Sequence, residues 1–144
     1  MTTTITGQLI RQRAEPFGSL AELTDGRHAW GADMRREIGG TDLAPDPHDL
    51  LDSALAACTL LTLELYIRRK QLRVTALRVQ VDHVETPASG GQPNRYAMTR
   101  RIEIEGDLST EERERLLAIA EKCPVHRTLA GQIEITSALQ PGSA

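Results

Sequence analysis

The sequence predicts an α+β fold, and three observations carry that expectation. Strand-like runs open the chain, one long apolar helix follows, and a strand pair, further helices and a last strand complete it. Strands and helices therefore come in separate runs, which argues against an alternating β/α sheet. A length of 144 residues suits one core: a single domain is expected over residues 1–139, with a flexible tail at 140–144 (Gln140-Pro141-Gly142-Ser143-Ala144).

The elements justify themselves in order. Leu20–Thr24 and Arg27–Trp30 flank Asp25-Gly26, a dipeptide suited to a two-residue hairpin turn because both positions need φ > 0. Asp46 is the expected N-cap of the long helix, Pro47 suits its first position, and Asp49 adds a capping acid. Leu51, Ala54, Leu55, Cys58, Leu61, Thr62 and Leu65 recur at helical spacing, and Arg68, Arg69 and Lys70 favour the negative end of the helix dipole. A helix of about 24 residues rises roughly 36 Å, too long for this chain alone to cover, so a partner subunit is the natural cover. Leu77 to His83 and Met98 to Ile104 alternate apolar with polar residues, as two strands joined by a long hairpin loop from Thr86 to Arg95. Ser109 and Glu112 form a capping box for a second helix, whose inner face carries Leu116, Ile119, Ala120 and Cys123 up to Pro124. A short helical turn from Val125 to Leu129 ends at Gly131, and Ile133 and Ile135 are expected in a last strand.

Composition narrows the function. A net charge of −3 argues against nucleic acid as a partner, which would need a basic surface. No uninterrupted apolar run of about 18 residues marks a membrane span. The start, Met1-Thr2-Thr3-Thr4-Ile5, lacks the charged and apolar regions of a secretory signal, and a cytoplasmic location is expected. Two cysteines in a reducing compartment are free, catalytic or metal-bound rather than a permanent staple. Cys58 and Cys123 both lie on apolar stripes, so packing of the two helices would bring the sulfurs into one apolar site. The plainer alternative is that each is a small core residue.

The residues around the cysteines add a resemblance. Asp46-Pro47-His48-Asp49-Leu50-Leu51 followed by Ala54-Leu55-Ala56-Ala57-Cys58-Thr59 resembles the Pro-x-x-Leu-Leu … Ala-Ala-Cys helix of the OsmC/Ohr (organic hydroperoxide resistance) family. Glu121-Lys122-Cys123-Pro124-Val125-His126-Arg127-Thr128-Leu129 is similar to its second Cys-Pro motif, and Gly39-Gly40-Thr41-Asp42 fits the loop before the helix. The likeness runs from about Ala29 to Ile135. It implies the OsmC-like fold, two β-sheets wrapping long central helices in an intertwined homodimer. It also implies a thiol-dependent, peroxiredoxin-type peroxidase acting on organic hydroperoxides in oxidative or osmotic stress defence. Cys58 would be the peroxidatic and Cys123 the resolving cysteine, with a dithiol reductant of lipoyl type and no metal, haem or flavin cofactor.

A thiol in mid-helix gains nothing from the helix N-terminus, and burial raises its pKa, so a cation beside Cys58 is expected. In the relatives this is an arginine held by a glutamate directly after the proline. Here that position holds His48, with Asp49 beside it. His48 lies about 15 Å along the helix from Cys58, so it reaches a thiol only in a partner subunit; otherwise it is an exposed first-turn residue. Asp49 is expected to cap the helix. Arg36, Arg35 and Arg27 are the arginine candidates, in that order. His126, one turn after Cys123, is expected to tune that thiol. A zinc site of Cys58, Cys123, His126 and a second histidine is a sharper alternative, but long helices are poor substitutes for a Cys-x-x-Cys knuckle. His28 and His83 fall in strand patterns as ordinary sheet positions. The competing reading of the whole is a non-catalytic small-ligand-binding protein with an apolar pocket at the dimer interface.

Overall fold

In the computed structural model, which describes residues 2–11 and 19–142, the α+β expectation holds. The described chain carries two antiparallel sheets, three α-helices and one 3-10 turn. Strands β1 (Thr6–Arg11), β2 (Ser19–Thr24) and β3 (Ala29–Ala32) form a sheet in that order. β1 pairs with β2 from Thr6↔Thr24 to Arg11↔Ser19, and β2 with β3 from Ala21↔Ala32 to Thr24↔Ala29. The hairpin at Asp25-Gly26 forms, but its loop spans residues 25–28 rather than two residues. Asp25 accepts hydrogen bonds from the N–H groups of Arg27 and His28, which rounds the turn and removes His28 from the strand.

Ahead of the long helix, the buried Asp33 carboxylate accepts hydrogen bonds from the N–H groups of Met34, Thr41 and Leu43 and from the Thr41 hydroxyl. Chief among these the Thr41 hydroxyl, with the Leu43 N–H next, lowers its pKa to about 2. The loop closes so tightly that a Cβ on Gly40 would lie 1.8 Å from the Met34 carbonyl oxygen, so a glycine is required there.

Helix α1 (Pro47–Lys70) starts as its sequence dictates: the His48 N–H donates to the Asp46 carboxylate and the Asp46 N–H to Asp49. It stops where Gln71 turns left-handed (φ 53°), and the Leu72 N–H caps the Ile67 carbonyl. Its buried stripe is Leu55, Thr59, Leu63 and Ile67, rotated from the expected one. Leu61 and Leu65 are 66% and 55% exposed. The helix is apolar nearly all round, so spacing alone did not select the buried face. Its length and its mean hydropathy of 1.6 over an 18-residue window match a membrane-spanning segment. The buried stripe nevertheless packs against protein.

Strands β4 (Arg73–Thr86) and β5 (Arg95–Asp107) pair as a two-stranded sheet, joined by the expected loop. Helix α2 (Thr110–Ala120) opens with the full Ser109/Glu112 capping box. It ends before Cys123, which instead is the N-cap of α3 (Pro124–Ala130). Pro124 thereby sits at a first helical position, where its missing N–H costs nothing. Ile133 and Ile135 are exposed and belong to no strand, which corrects that expectation: alternation over so few residues finds no neighbouring strand to pair with. Of the expected tail, Ser143 and Ala144 lie outside the described residues, and Gln140–Gly142 have no regular structure.

Two compact units result, Met1–Ala54 with Asp82–Met98, and Leu55–Val81 with Thr99–Ala144. In the second, Leu63, Ile67, Leu116 and Ala120 make the core, flanked by Leu72, Val74, Leu77, Ile102, Ile104 and Ile119.

Candidate active site

Both cysteines belong to the second unit, and both are free thiols. Cys58 lies on α1, one position before the buried stripe residue Thr59, and keeps some exposure. Cys123 has no exposed surface. The turn from α2 into α3 carries it: its N–H donates to the Ala120 carbonyl at 3.2 Å, and its sulfur accepts the His126 N–H at 3.5 Å. The two thiols are neighbours, near enough that each shifts the other's ionisation. Sequence reasoning expected this meeting, although it placed Cys123 on the end of α2.

The two sulfurs differ electrostatically. Burial pushes the Cys58 thiol up, and the neighbouring Cys123 pushes it further; the Val125 N–H and the Thr62 hydroxyl, 4.0 Å away, offset only part of this. Burial also penalises charge on Cys123. The neighbouring Cys58, with the His126 and Val125 N–H groups, outweighs it, and the Cys123 thiol falls below its usual range.

Arg100 of β5 stands among the elements that carry the thiols. Its guanidinium donates to the Thr59 hydroxyl oxygen at 3.0 Å, to the Ala120 carbonyl at 3.3 Å and to His126 Nδ1 at 3.3 Å. Guanidinium has only donors, so His126 Nδ1 is the acceptor and the ring hydrogen sits on Nε2. Thr59, fully buried, passes its own hydrogen to the Leu55 carbonyl. Arg100 thus ties α1, the end of α2 and α3 together around the thiols.

Thr62 and Pro124, which neighbour the two sulfurs, also line a cavity of about 320 Å³ with Leu65, Tyr66, Ile119, Arg69 and Lys122. That is the small end of the ~300–1,000 Å³ usual for ligand sites. A larger cavity of about 640 Å³ faces Glu111, Glu112 and Glu114; neither cavity is lined by a cysteine, and only the smaller one is lined by residues next to the two sulfurs. The zinc alternative fails on donor chemistry. Arg100 puts a cation on His126, and among the described residues no three His, Cys, Asp or Glu side chains group around a metal position.

The remaining expected site residues lie in the first unit. Arg35 is 3.7 Å from Asp49, Arg36 begins the exposed 3-10 turn Arg36–Ile38, and Arg27 is exposed in the hairpin loop. His48 is half-exposed, as a first-turn residue should be, yet it is not isolated. Its ring stacks on Tyr96 at 5.2 Å, and Tyr96 on His83 at 4.6 Å. Asp52 accepts from the Tyr96 hydroxyl at 2.8 Å and bonds His83 Nδ1 at 2.5 Å. Burial, then the hydrogen bond to Asp52 and its charge, raises the Tyr96 pKa well above the usual phenol value. His83 is therefore more than an ordinary sheet position.

With this geometry in place, the sequence profile of OsmC-like proteins matches residues 40–138. The chain belongs to the OsmC-like family. An OsmC-like protein from Mycoplasma pneumoniae shares 25% identity and a TM-score of 0.72, over 91% of this chain and 89% of that one. An organic hydroperoxide resistance protein OsmC from Legionella pneumophila shares 22% identity and a TM-score of 0.66, over 91% and 90%. An organic hydroperoxide resistance protein from Elizabethkingia anophelis shares 20% identity and a TM-score of 0.64, over 93% and 94%. No curated protein matches the sequence significantly. In this OsmC-like protein, sequence reasoning missed Arg100, Thr59, Asp52 and Tyr96. Only the run Arg95–Arg101, with arginine on a strand facing an apolar helix, hinted at the first.

Proposed function

We propose that this OsmC-like protein is a thiol-dependent peroxidase that reduces organic hydroperoxides in oxidative or osmotic stress defence in the cytoplasm. The observation that carries the reading is that the Cys58 and Cys123 sulfurs stand near enough to perturb each other's ionisation. Cys58, the accessible one, attacks the terminal peroxide oxygen; the O–O bond breaks, the alkoxide takes a proton and leaves as the alcohol, and Cys58 becomes a sulfenic acid. Cys123 attacks that sulfur, expelling hydroxide and closing a disulfide. An external dithiol of lipoyl type reduces it again. His126 and Arg100 hold the α3 end in place; His48, Asp49 and Arg36 serve the first unit.

The cavity beside the thiols supports an alkyl substrate. Each buried methylene contributes about 0.8 kcal/mol, so a four-carbon tail gains roughly 3 kcal/mol, on the order of a 10²-fold preference over hydrogen peroxide. The solved relatives from Legionella pneumophila and Elizabethkingia anophelis, named for organic hydroperoxide resistance, support the same chemistry. The apolar residues that α1 leaves exposed, Leu61 and Leu65 above all, support a homodimer that covers them.

One observation favours a second reading, a protein that binds a small apolar ligand without turnover: the accessible thiol is the one whose pKa is raised. Thiol titration before and after one equivalent of cumene hydroperoxide separates the two. Loss of both thiols, reversed by dihydrolipoamide and abolished in Cys58→Ser, supports the peroxidase. Unchanged thiols with saturable ligand binding support the other.

A further inference from the structure

The cavity beside the thiols is distinguished by its charge. Thr62, Tyr66 and Arg69 recur at i, i+4 and i+7, so they share one face of α1, and Ile119, Lys122 and Pro124 line the cavity with them. Tyr66, Ile119 and Pro124 give it apolar walls. It adjoins the sulfurs through Thr62, 4.0 Å from Cys58, and through Pro124, which follows Cys123. Arg69 and Lys122 are cations, and no carboxylate lines the cavity to offset them. Arg68, one position away, is ion-paired with Glu64 at 2.6 Å, whereas among the described residues neither Arg69 nor Lys122 has an ion-pair partner. The larger cavity is the reverse, with three glutamates against Arg115. Positive residues near a helix C-terminus serve the dipole from any side, so the dipole leaves unexplained why these two line one apolar cavity.

We propose that the hydroperoxide reduced here is amphipathic and anionic: Arg69 and Lys122 hold a carboxylate or phosphate head group, and the apolar walls hold the chain. The inference rests on the peroxidase reading and deepens it by naming the substrate class. Arg69 follows Cys58 by eleven residues, about 16 Å of helix rise, and a long helical side chain leans back toward the N-terminus by roughly one turn, about 5 Å. Head group and peroxide therefore stand roughly 10 Å apart. An extended chain advances ~1.2 Å per bond, so about eight carbons separate the two. The head group contributes binding alone, and the chemistry at sulfur is unchanged.

The test measures KM and kcat of the full chain, with dihydrolipoamide as reductant, for straight-chain hydroperoxides ending in a carboxylate, its methyl ester or a phosphate monoester. Each is made with about four and about eight carbons between head group and peroxide. An exposed ion pair is worth a factor of roughly two to five, so the longer anion is expected to show a KM about tenfold below its ester, at equal kcat. Salt at 1 M should shrink that gap, since the screening length falls to about 3 Å. Arg69→Gln and Lys122→Gln should each shrink it several-fold, Lys122→Arg should keep it, and Arg69→Glu should turn the preference toward the ester. Arg68→Gln, which removes a charge outside the cavity, should leave it unchanged. Of the two anions, the one with the lower KM identifies the head group. Equal KM for anion and ester in wild type overturns the proposal and leaves the peroxidase reading intact. So does a preference independent of chain length, or one that Arg68→Gln shrinks as much as Arg69→Gln, because a diffuse surface field is then its source. Wild type inert toward every hydroperoxide overturns both.

Discussion

Replacing Arg100 by methionine keeps the aliphatic stem and removes three donations, to Thr59 Oγ1 at 3.0 Å, the Ala120 carbonyl at 3.3 Å and His126 Nδ1 at 3.3 Å. Two of these acceptors keep another hydrogen bond: the Ala120 carbonyl still receives the Cys123 N–H, and Thr59 still donates to Leu55. A hydrogen bond from a charged donor contributes about 1.5–3 kcal/mol; with two acceptors only partly stripped, the expected loss is about 2–4 kcal/mol of stability. Lysine, a single-point donor, should recover less than half of it. The chemistry should suffer separately, because α3 and its Cys123 cap lose their tie to α1. If 1.4 kcal/mol of the loss falls on the resolving geometry, disulfide closure slows about tenfold. Urea unfolding of the reduced protein measures the first effect, and thiol loss after one equivalent of cumene hydroperoxide the second. An Arg100→Met protein with the wild-type unfolding midpoint and closure rate would refute the clamp.

Two further perturbations bear on the fold and assembly. The folded pKa of Asp33, about 2, lies below the ~3.9 of an unfolded aspartate, so its stabilisation is complete above that unfolded value and is lost as pH falls toward 2. The stability gap between wild type and Asp33→Asn, read by thermal unfolding, should therefore be full at neutral pH and close across that window; a gap independent of pH would contradict it. Leu61→Glu with Leu65→Glu places charge on exposed apolar positions of α1. Gel filtration should shift from twice the chain mass to the chain mass, while a wild-type monomer would remove the dimer from the account.

What the sequence discloses follows its local chemistry. The starts of α1 and α2 were legible because Asp46, Ser109 and Glu112 satisfy N–H groups within a few residues of themselves. Strands β4 and β5 were legible because Leu77–His83 and Met98–Ile104 alternate apolar with polar residues; the strands run longer than that, to 14 and 13 residues, where the alternation breaks. The buried face of α1 was not, since a helix that is apolar on most sides gives no contrast to read. Nor was the absence of strand at Ile133 and Ile135, whose pattern is right but which no neighbouring strand completes. Arg100 illustrates the deepest gap. Its partners lie 41, 20 and 26 residues away, and no local rule joins them. His83 was misjudged for the same reason, 31 residues from the Asp52 that binds it.

Cys123 closes the first turn of α3 with the same sulfur that the proposed cycle would join to Cys58, and this would couple redox state to backbone order. Once that sulfur is shared with Cys58 it is a poorer acceptor, and the His126 amide loses its best anchor. The redox state is thereby inscribed in one peptide N–H, whose deuterium uptake would report oxidation without any reagent that touches a thiol.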